Sequence, residues 1–321
     1  MQPAPNTQPT FADLAIQQRG SSNRLLEVIA EQIDFSAAER QIMATYKEMG
    51  RPAYPVPVLL RLMLLQHLYG LSDPQAEAQL KDRLSFQKFA LIGAHDAVPD
   101  ETTICRFRQR MIQCGLHETL LQMLNEQLET RGYIVKRTTL VDATLLESTR
   151  KRPDPEMVRQ GTAPDAEASY SYKAGRYYYG YKAHISSDGQ HQLIRRAVLT
   201  SAGAQEAHLF EKIAPEDTHE IYGDKAYDTK ANQAWLRQRN IASGIQKKGA
   251  HHIKLTDEDR RENYRKRRAR AQIERIFAHL KTWQCYRRVR YLGLTRNQLE
   301  LTLKAVVYNL KRIARISGAM T

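Results

Sequence analysis

Three acidic residues stand out by their surroundings. Asp142 lies in the β-rich run TLVDATLLE, Asp224 lies in IYGDKAY, and Glu274 is embedded among arginines and lysines in segment 267–281. Carboxylate oxygens are the ligands that hard divalent cations prefer, and a basic environment attracts nucleic-acid phosphate. Their separation along the chain predicts an enzyme that holds divalent metal against phosphate.

Helical geometry supports this interpretation for the segment around Glu274. At about 3.6 residues per turn, Arg270, Glu274 and Lys281 project from one face, with Glu274 about 6 Å from Arg270 and about 10 Å from Lys281 along the axis. An apolar seam is predicted on a mostly opposite arc, and it consists of Ile273, Ile276, Phe277, Leu280 and Trp283. The alternative is a solvated basic helix with an internal ion pair, and the helix alone leaves both open.

The charge of the chain is strongly basic and uneven. Its 321 residues include 49 Lys plus Arg against 35 Asp plus Glu, a net charge of +14. The basic residues concentrate between Arg260 and Arg290. Such clustering favours a polyanionic partner over a basic surface kept for solubility.

Cysteine usage and apolar runs limit the class of protein. The 3 cysteines are odd in number and form no CxxC pair, which disfavours a disulfide framework or a structural zinc site and predicts a reducing cytoplasm. The N-terminal residues show no secretion-signal pattern. The longest apolar run, VPVLLRLMLLQHLYG, is short and carries Arg61, so no membrane association is predicted.

Sequence periodicity changes character near Tyr133. The preceding residues read as helices, with helix-start signals at Ser72 and Asp100 and a core helix around 59–68. After Tyr133 come a β-rich run, a polar stretch at 147–175 that is predicted to be an irregular loop, and two β-rich runs flanking Asp188-Gly189, a hairpin signal. Strands and helices then alternate up to a long basic helix over 260–283 and a last helix.

This order predicts an α/β protein with an RNase H-like mixed sheet flanked by helices, preceded by an all-helical N-terminal domain. The expected domains are 1–132, helical; 133–290, catalytic; and 291–321, a C-terminal helix packed on the catalytic domain. Asp142 is expected on the first strand, Asp224 at the end of the fourth, and Glu274 on the last helix of the catalytic domain.

Almost the whole chain resembles bacterial insertion-sequence transposases of the DDE type, in the insertion sequence 5 family. The resemblance rests on the segments GRPAYPVPVLLRLMLLQHLYGLSD, VPDETTICRFR, VDATLLEST, GYKAHIS and GDKAY. It also rests on a signature of Tyr, two residues, Arg, three residues, Glu, six residues and Lys. Arg270, Glu274 and Lys281 match this spacing, whereas Arg267 stands at the Tyr position. In TSAGAQEAHLFEK, Gly203 and Gln205 replace the Asn and His that relatives often carry, so this loop is assigned no role.

The resemblance implies a function and a set of site residues. Asp142, Asp224 and Glu274 would be the catalytic residues and the ligands of two Mg²⁺ ions, with Mn²⁺ able to substitute. Arg267, Arg270 and Lys281 would contact DNA. The partners would be the terminal inverted repeats and target DNA, both double-stranded, and a further copy or copies of the chain. The alternatives are a catalytically idle DNA-binding descendant and an RNase H-like nuclease that cuts without joining.

Other residues leave further possibilities open. Arg106, Arg108 and Arg110 lie in ETTICRFRQRMI, which is predicted either as a DNA-recognition helix or as part of a helical dimerisation domain. Lys182 and His184 are expected to be exposed strand residues, and the tyrosines between 170 and 181 are expected to pack on a sheet rather than stack on bases. The pair at 251–252, two histidines, is expected in a solvated loop.

Overall fold

The computed structural model describes residues 23–46, 53–93, 96–173, 175–249 and 254–318. The histidine pair at 251–252 lies outside these ranges. The chain divides into two compact units, Met1–Leu124 with Asn309–Thr321, and Asn125–Tyr308. One continuous helix runs through residue 124 and another through residue 308.

Helices make up the described part of the first unit. They are α1 (Arg24–Gln32), α2 (Ser36–Met43), α3 (Val56–Tyr69), α4 (Asp73–Asp82), α5 (Leu84–Ala90), α6 (Glu101–Gln113) and the start of α7 (Leu116–Thr130). Helix α3 is buried along most of its length, which confirms the predicted core helix. The predicted helix starts are also confirmed, since the side chains of Ser72 and Asp100 accept hydrogen bonds from the backbone N–H groups of Gln75 and Thr103.

The three arginines of α6 lie in different environments. Arg108 is buried, and its guanidinium donates to Asp73 at 2.5 Å. The guanidinium of Arg110 lies over the Tyr46 ring, 3.9 Å from its centroid. Of the three, Arg106 is the exposed one. Arg108 therefore connects two helices of this unit, contrary to the DNA contact that the sequence suggested, because a buried and paired guanidinium is not accessible to phosphate.

The second unit is built on a six-stranded mixed sheet. Its strands are β1 (Thr138–Glu147), β2 (Ser169–Lys173), β3 (Arg176–Asp188), β4 (Ile194–Ser201), β5 (Glu220–Gly223) and β6 (Ala242–Ile245). The order is β2-β3-β1-β5-β6, with β4 also paired to β3. Strand β3 is antiparallel to β1, whereas β5 and β6 continue the sheet in parallel. This is the RNase H-like arrangement that the sequence predicts, and the hairpin after Asp188 is confirmed.

The remaining helices surround this sheet. They are α8 (Pro155–Arg159), α9 (Phe210–Ile213), α10 (Lys230–Gln238), α11 (Asp257–Arg270), α12 (Gln272–Thr282) and α13 (Leu294–Ile316), the last of which contributes to both units. Alternate residues of β1 enter different apolar clusters: Val141 packs with Phe210 and Trp235, and Leu146 packs with Tyr181 and Leu301. No helix in the described ranges is long and apolar enough to cross a membrane.

The polar stretch at 147–175, predicted as an irregular loop, includes helix α8 and strand β2 among its described residues. Most of its other described residues are in turns and irregular segments. The buried carboxylate of Asp165 organises this stretch, because it accepts hydrogen bonds from the Ser148 hydroxyl at 2.6 Å and the Tyr181 hydroxyl at 2.6 Å. Strand β2 pairs with β3 through tyrosines, and Tyr179 and Tyr181 are buried, whereas Tyr172 and Tyr177 are exposed.

The predicted long basic helix is two helices that meet at Ala271. Helix α11 has no buried residue, whereas α12 buries Ile273, Ile276, Phe277 and Leu280. The break therefore separates a solvated basic helix from one whose apolar face packs inward. Trp283, expected in the apolar seam, is 77% exposed because it follows the end of α12.

The difference between buried Arg108 and exposed Arg106 on α6 gives a stability prediction. Arg108→Ala should lower the free energy of unfolding by about 3 kcal/mol, because it leaves Asp73 without its buried partner. Arg106→Ala should change it by less than about 0.5 kcal/mol, because this side chain is solvated. Chemical denaturation of the two variants tests this, and equal stabilities would contradict the structural role of Arg108.

Candidate active site

Parallel pairing places Asp142 of β1 and Asp224, which follows β5, at the same level of the sheet. Leu140 of β1 lies opposite Tyr222 of β5, and each aspartate follows two residues later. Asp142 is on the first strand as predicted. Asp224 follows the fifth strand rather than the fourth, because the polar stretch contributes β2.

The Asp142 carboxylate is held by a cation and by its own strand. It is ion-paired with Arg270 at the end of α11, and it accepts a hydrogen bond from the Ala143 N–H at 2.8 Å. Burial raises the pKa of Asp142 to about 6; the Arg270 charge opposes this shift, and the negative charges of Asp224 and Glu206 add to it.

Arg270 also connects Asp142 to Glu274. Its Nη2 atom lies 3.9 Å from the Glu274 Oε1 atom, so these two residues share one face, as the helical spacing predicts. The Glu274 side chain is 64% exposed. The three predicted catalytic acids are thus arranged as two aspartates on neighbouring parts of the sheet and a glutamate that is linked to Asp142 through Arg270.

Asp224 begins a short 3₁₀ turn over Lys225–Tyr227 and caps it, because its carboxylate accepts a hydrogen bond from the Lys225 N–H at 2.6 Å. A close approach holds this turn against the strand: a Cβ atom added at Gly223 would meet the Tyr227 ring at 3.2 Å. Packing at Gly223 therefore helps to fix the direction in which the Asp224 side chain leaves the sheet.

Lys281 and Arg267 lie on opposite sides of the helix break. Lys281, on α12, is partly buried, and burial together with the charges of Lys173 and Arg287 lowers its pKa. It therefore belongs to a group of neighbouring cations. Arg267 is exposed on α11. Both positions present positive charge, but neither contacts the two aspartates in the described structure.

Lys182 and His184 are not the exposed strand residues that the sequence suggested. The Lys182 side chain is 12% exposed and pairs with Glu206 at 3.2 Å. His184 is buried, with its Nε2 atom 2.9 Å from the Thr200 hydroxyl. Burial, together with the Lys182 charge, lowers the pKa of His184 to about 3. Both lie on β3, which is covered on both sides by paired strands.

Sequence reasoning missed two residues beside this site, Glu206 and Tyr227. Glu206 begins a 3₁₀ turn, Glu206–Leu209, in the loop that was assigned no role. Tyr227 ends the turn that Asp224 begins, and it is fully buried. The sequence signal for Glu206 is its position, an acidic residue shortly after β4, because functional sites in this fold lie near the ends of strands.

The donor chemistry fits a divalent metal. The Asp142 and Asp224 carboxylates would supply oxygen ligands, which hard divalent cations prefer. Within the described ranges, no three acidic, histidine or cysteine side chains are already grouped closely enough to hold a metal ion. Arg270 accounts in part for the lack of such a group, because its guanidinium occupies the position beside the Asp142 carboxylate where a metal cation would bind.

An RNase H-like sheet with one aspartate on its first strand and another directly after the neighbouring parallel strand is typical of metal-dependent polynucleotide enzymes. Residues 134–310 match the family model described as "Transposase DDE domain", and residues 14–110 match the "Transposase domain (DUF772)". The chain therefore belongs to the DDE transposase family and is a DDE transposase. Membership of this family implies dependence on a divalent metal.

Solved structures give only distant similarities. A piggyBac transposase in a synaptic complex with hairpin DNA is 9% identical, with 92% of this chain and 75% of that chain covered and a TM-score of 0.40. A Mos1 transposase in a paired-end complex with the left transposon end is 13% identical, with 97% and 94% covered and a TM-score of 0.21. Scores this low assign neither a fold nor a site.

Burial of His184 predicts a pH effect on stability. Its pKa in the folded chain, about 3, lies below the ordinary value of 6.5. The unfolded chain therefore binds a proton first, and stability present above pH 6.5 is lost as the pH falls towards 3, by on the order of a few kcal/mol. Chemical denaturation of wild type and His184→Gln between these pH values should give a shallower pH dependence for the variant. Parallel curves would contradict the neutral, buried state of His184.

Proposed function

We propose that the chain is the transposase of an insertion sequence of the insertion sequence 5 family, acting on double-stranded DNA at terminal inverted repeats and at target sites. The observation that carries this proposal is the placement of Asp142 on β1 and of Asp224 directly after the neighbouring parallel strand β5, with Arg270 of the basic helix α11 paired to both Asp142 and Glu274. Carboxylates alone would fit many metal enzymes. The adjoining cations favour a phosphodiester substrate.

Asp142, Asp224 and Glu274 are proposed to hold two Mg²⁺ ions, which Mn²⁺ can replace. When bound, such ions activate the attacking oxygen and stabilise the leaving oxygen in phosphoryl transfer. Water is the proposed nucleophile in cleavage, and a freed 3′-hydroxyl is the nucleophile in strand transfer. No covalent attachment to the protein is needed for either step.

Arg270 has two alternative partners in this proposal, the Asp142 carboxylate and DNA phosphate. In the described structure its guanidinium neutralises Asp142. Once Asp142 has another cation, the guanidinium fork is free to bind phosphate oxygens, a role for which its planar donors are suited. Arg270 therefore links occupation of the carboxylates to the holding of DNA.

The DNA surface is proposed to follow the solvated side of α11 and the cations beside α12. Arg267 is exposed there, and Lys281 lies with Lys173 and Arg287. In the first unit, Arg106 remains accessible to DNA. Charge complementarity to a polyanion supports these contacts.

Three further proposals accompany this function. The chain acts as a homodimer or higher oligomer on DNA, it works in the cytoplasm, and its N-terminal region, residues 1–132, binds transposon ends or mediates assembly. These proposals rest on the family to which the chain belongs and on its basic, cysteine-poor composition.

Loss of any proposed metal ligand should abolish catalysis but preserve DNA binding. Asp142→Asn, Asp224→Asn and Glu274→Gln should each reduce cleavage and strand transfer at least about 10²-fold, because each removes a charged oxygen ligand while keeping side-chain size. Asp257→Asn is the matched control, since Asp257 is 86% exposed on α11. The measurement is cleavage and joining of inverted-repeat DNA with Mg²⁺.

The same assay separates the alternatives. Cleavage without joining would favour a nuclease, and end binding without either reaction in the wild type would favour a catalytically idle DNA-binding protein. Full activity in one of the three variants would remove that residue from the proposed metal site.

DNA affinity should fall steeply with salt. With about 6–10 phosphate contacts, the loss between about 50 and 200 mM salt should be on the order of 10³–10⁵. Arg267→Ala should reduce the slope of log affinity against log salt by about 1, because it removes one phosphate contact. Arg260→Ala should change the slope less, because Arg260 is already paired with Asp257 at 2.9 Å. Fluorescence anisotropy measures both slopes, and a nearly salt-independent affinity would contradict the proposed surface.

A further inference from the structure

The loop after β4 is tied directly to the turn that begins at Asp224. The buried side-chain amide of Asn232 donates one hydrogen bond to the Ala207 carbonyl at 3.2 Å and another to the Tyr227 carbonyl at 2.9 Å. The two 3₁₀ turns, Glu206–Leu209 and Lys225–Tyr227, also contact each other. Glu206 is therefore positioned beside Asp224 by a shared clamp, although the two residues come from different loops.

A second tie fixes Glu206 to the strand next to β1. The Lys182 ammonium group lies 3.2 Å from the Glu206 Oε1 atom and donates to the Ala204 carbonyl at 3.1 Å. Lys182 is on β3, which pairs with β1 along the length that includes Asp142. The Glu206 side chain is 24% exposed, so this ion pair faces the protein more than the solvent.

The next feature of this region is the buried hydroxyl of Tyr227, which can form a hydrogen bond to a neighbouring group. Tyr227 is 0% exposed, and its hydroxyl has no hydrogen-bond partner in the described part of the chain. Such a group is unfavourable unless something pairs with it. Burial, and then the negative charges of Glu206, Asp142 and Asp224, raise the pKa of Tyr227, so these three carboxylates lie close enough to act on it.

We propose that Glu206 is a further carboxylate of the metal site beside Asp142 and Asp224. We also propose that the Tyr227 hydroxyl donates a hydrogen bond to one of these carboxylates when a divalent cation is bound. The proposal deepens the proposed function and rests on it.

Charge balance makes the rearrangement reasonable. In the described structure, Arg270 neutralises Asp142 and Lys182 neutralises Glu206. The carboxylates are not yet grouped at metal-ligand spacing among the described residues, so binding requires the long Glu206 side chain to turn from Lys182 towards Asp224. A divalent cation then replaces two protein cations at the carboxylates, and Lys182 and Arg270 become available to phosphate.

Mn²⁺ binding to the full chain without DNA provides a test that does not depend on catalysis. Glu206→Gln removes the charge but keeps an oxygen acceptor for Lys182, and Tyr227→Phe removes only the hydroxyl. We expect both variants to weaken Mn²⁺ binding, by about 10–100-fold for Glu206→Gln and by about tenfold for Tyr227→Phe. Isothermal calorimetry gives the affinities, and electron paramagnetic resonance counts the free Mn²⁺.

Matched controls come from the same chain. Glu211→Gln changes an exposed glutamate shortly after Glu206. Tyr286→Phe removes another buried hydroxyl without a partner in the described ranges, from the cluster that contains Leu146. Both controls should bind Mn²⁺ within about twofold of wild type, and thermal melting should show that all four variants are folded.

Asp142→Asn separates failure of this inference from failure of the proposed function. If Asp142→Asn loses Mn²⁺ binding but Glu206→Gln binds like wild type, Glu206 is not in the site and the proposed function stands. If Tyr227→Phe behaves like Tyr286→Phe, the hydroxyl has no role at the metal. If Asp142→Asn itself binds Mn²⁺ like wild type, the metal site is not at these carboxylates and both proposals fail.

Discussion

Parallel pairing of β1 with β5 is the constraint on which the site depends. A short register, ending with Leu140 opposite Tyr222, brings two aspartates together that are far apart in the chain. Because β5 ends at Gly223, Asp224 leaves the sheet in a turn, whereas Asp142 remains within β1. One carboxylate is therefore held rigidly and the other by a capped turn, and both lie where other elements can reach them.

Placing these carboxylates close together creates electrostatic repulsion, which neighbouring positively charged side chains reduce. Neighbouring negative charges in a partly buried site raise each other's pKa and disfavour ionisation. Arg270 offsets this at Asp142, and Lys182 forms an ion pair with Glu206. Both cations come from elements beside this site, so the packing of α11 and β3 also brings positive charge to the carboxylates.

Local patterns predicted the parts of this arrangement that are encoded locally. The position of Asp142 in a strand follows from a β-rich run, and the shared face of Arg270 and Glu274 follows from helical spacing. The pairing of Arg270 with Asp142 spans 128 residues and depends on tertiary packing, so no local pattern contains it. The order of the polar stretch depends in the same way on buried Asp165, whose hydrogen-bond donors come from β3 and from the residue just after β1.

The arginines of α6 show the same limit on a smaller scale. Arg106, Arg108 and Arg110 alternate in sequence, but a helix turns about 100° per residue, so Arg108 lies on the opposite face from Arg106 and Arg110. Arg108 turns to Asp73, Arg110 to Tyr46, and Arg106 to solvent. The three arginines therefore carry the same charge but differ in their accessibility to DNA. On α11 no residue is buried as a whole, but the Arg270 side chain is only 12% exposed, and it pairs with Asp142. Arg270 is therefore the arginine of α11 whose partner is a carboxylate of the proposed site. In the proposed function, metal binding at Asp142 would release its guanidinium for phosphate.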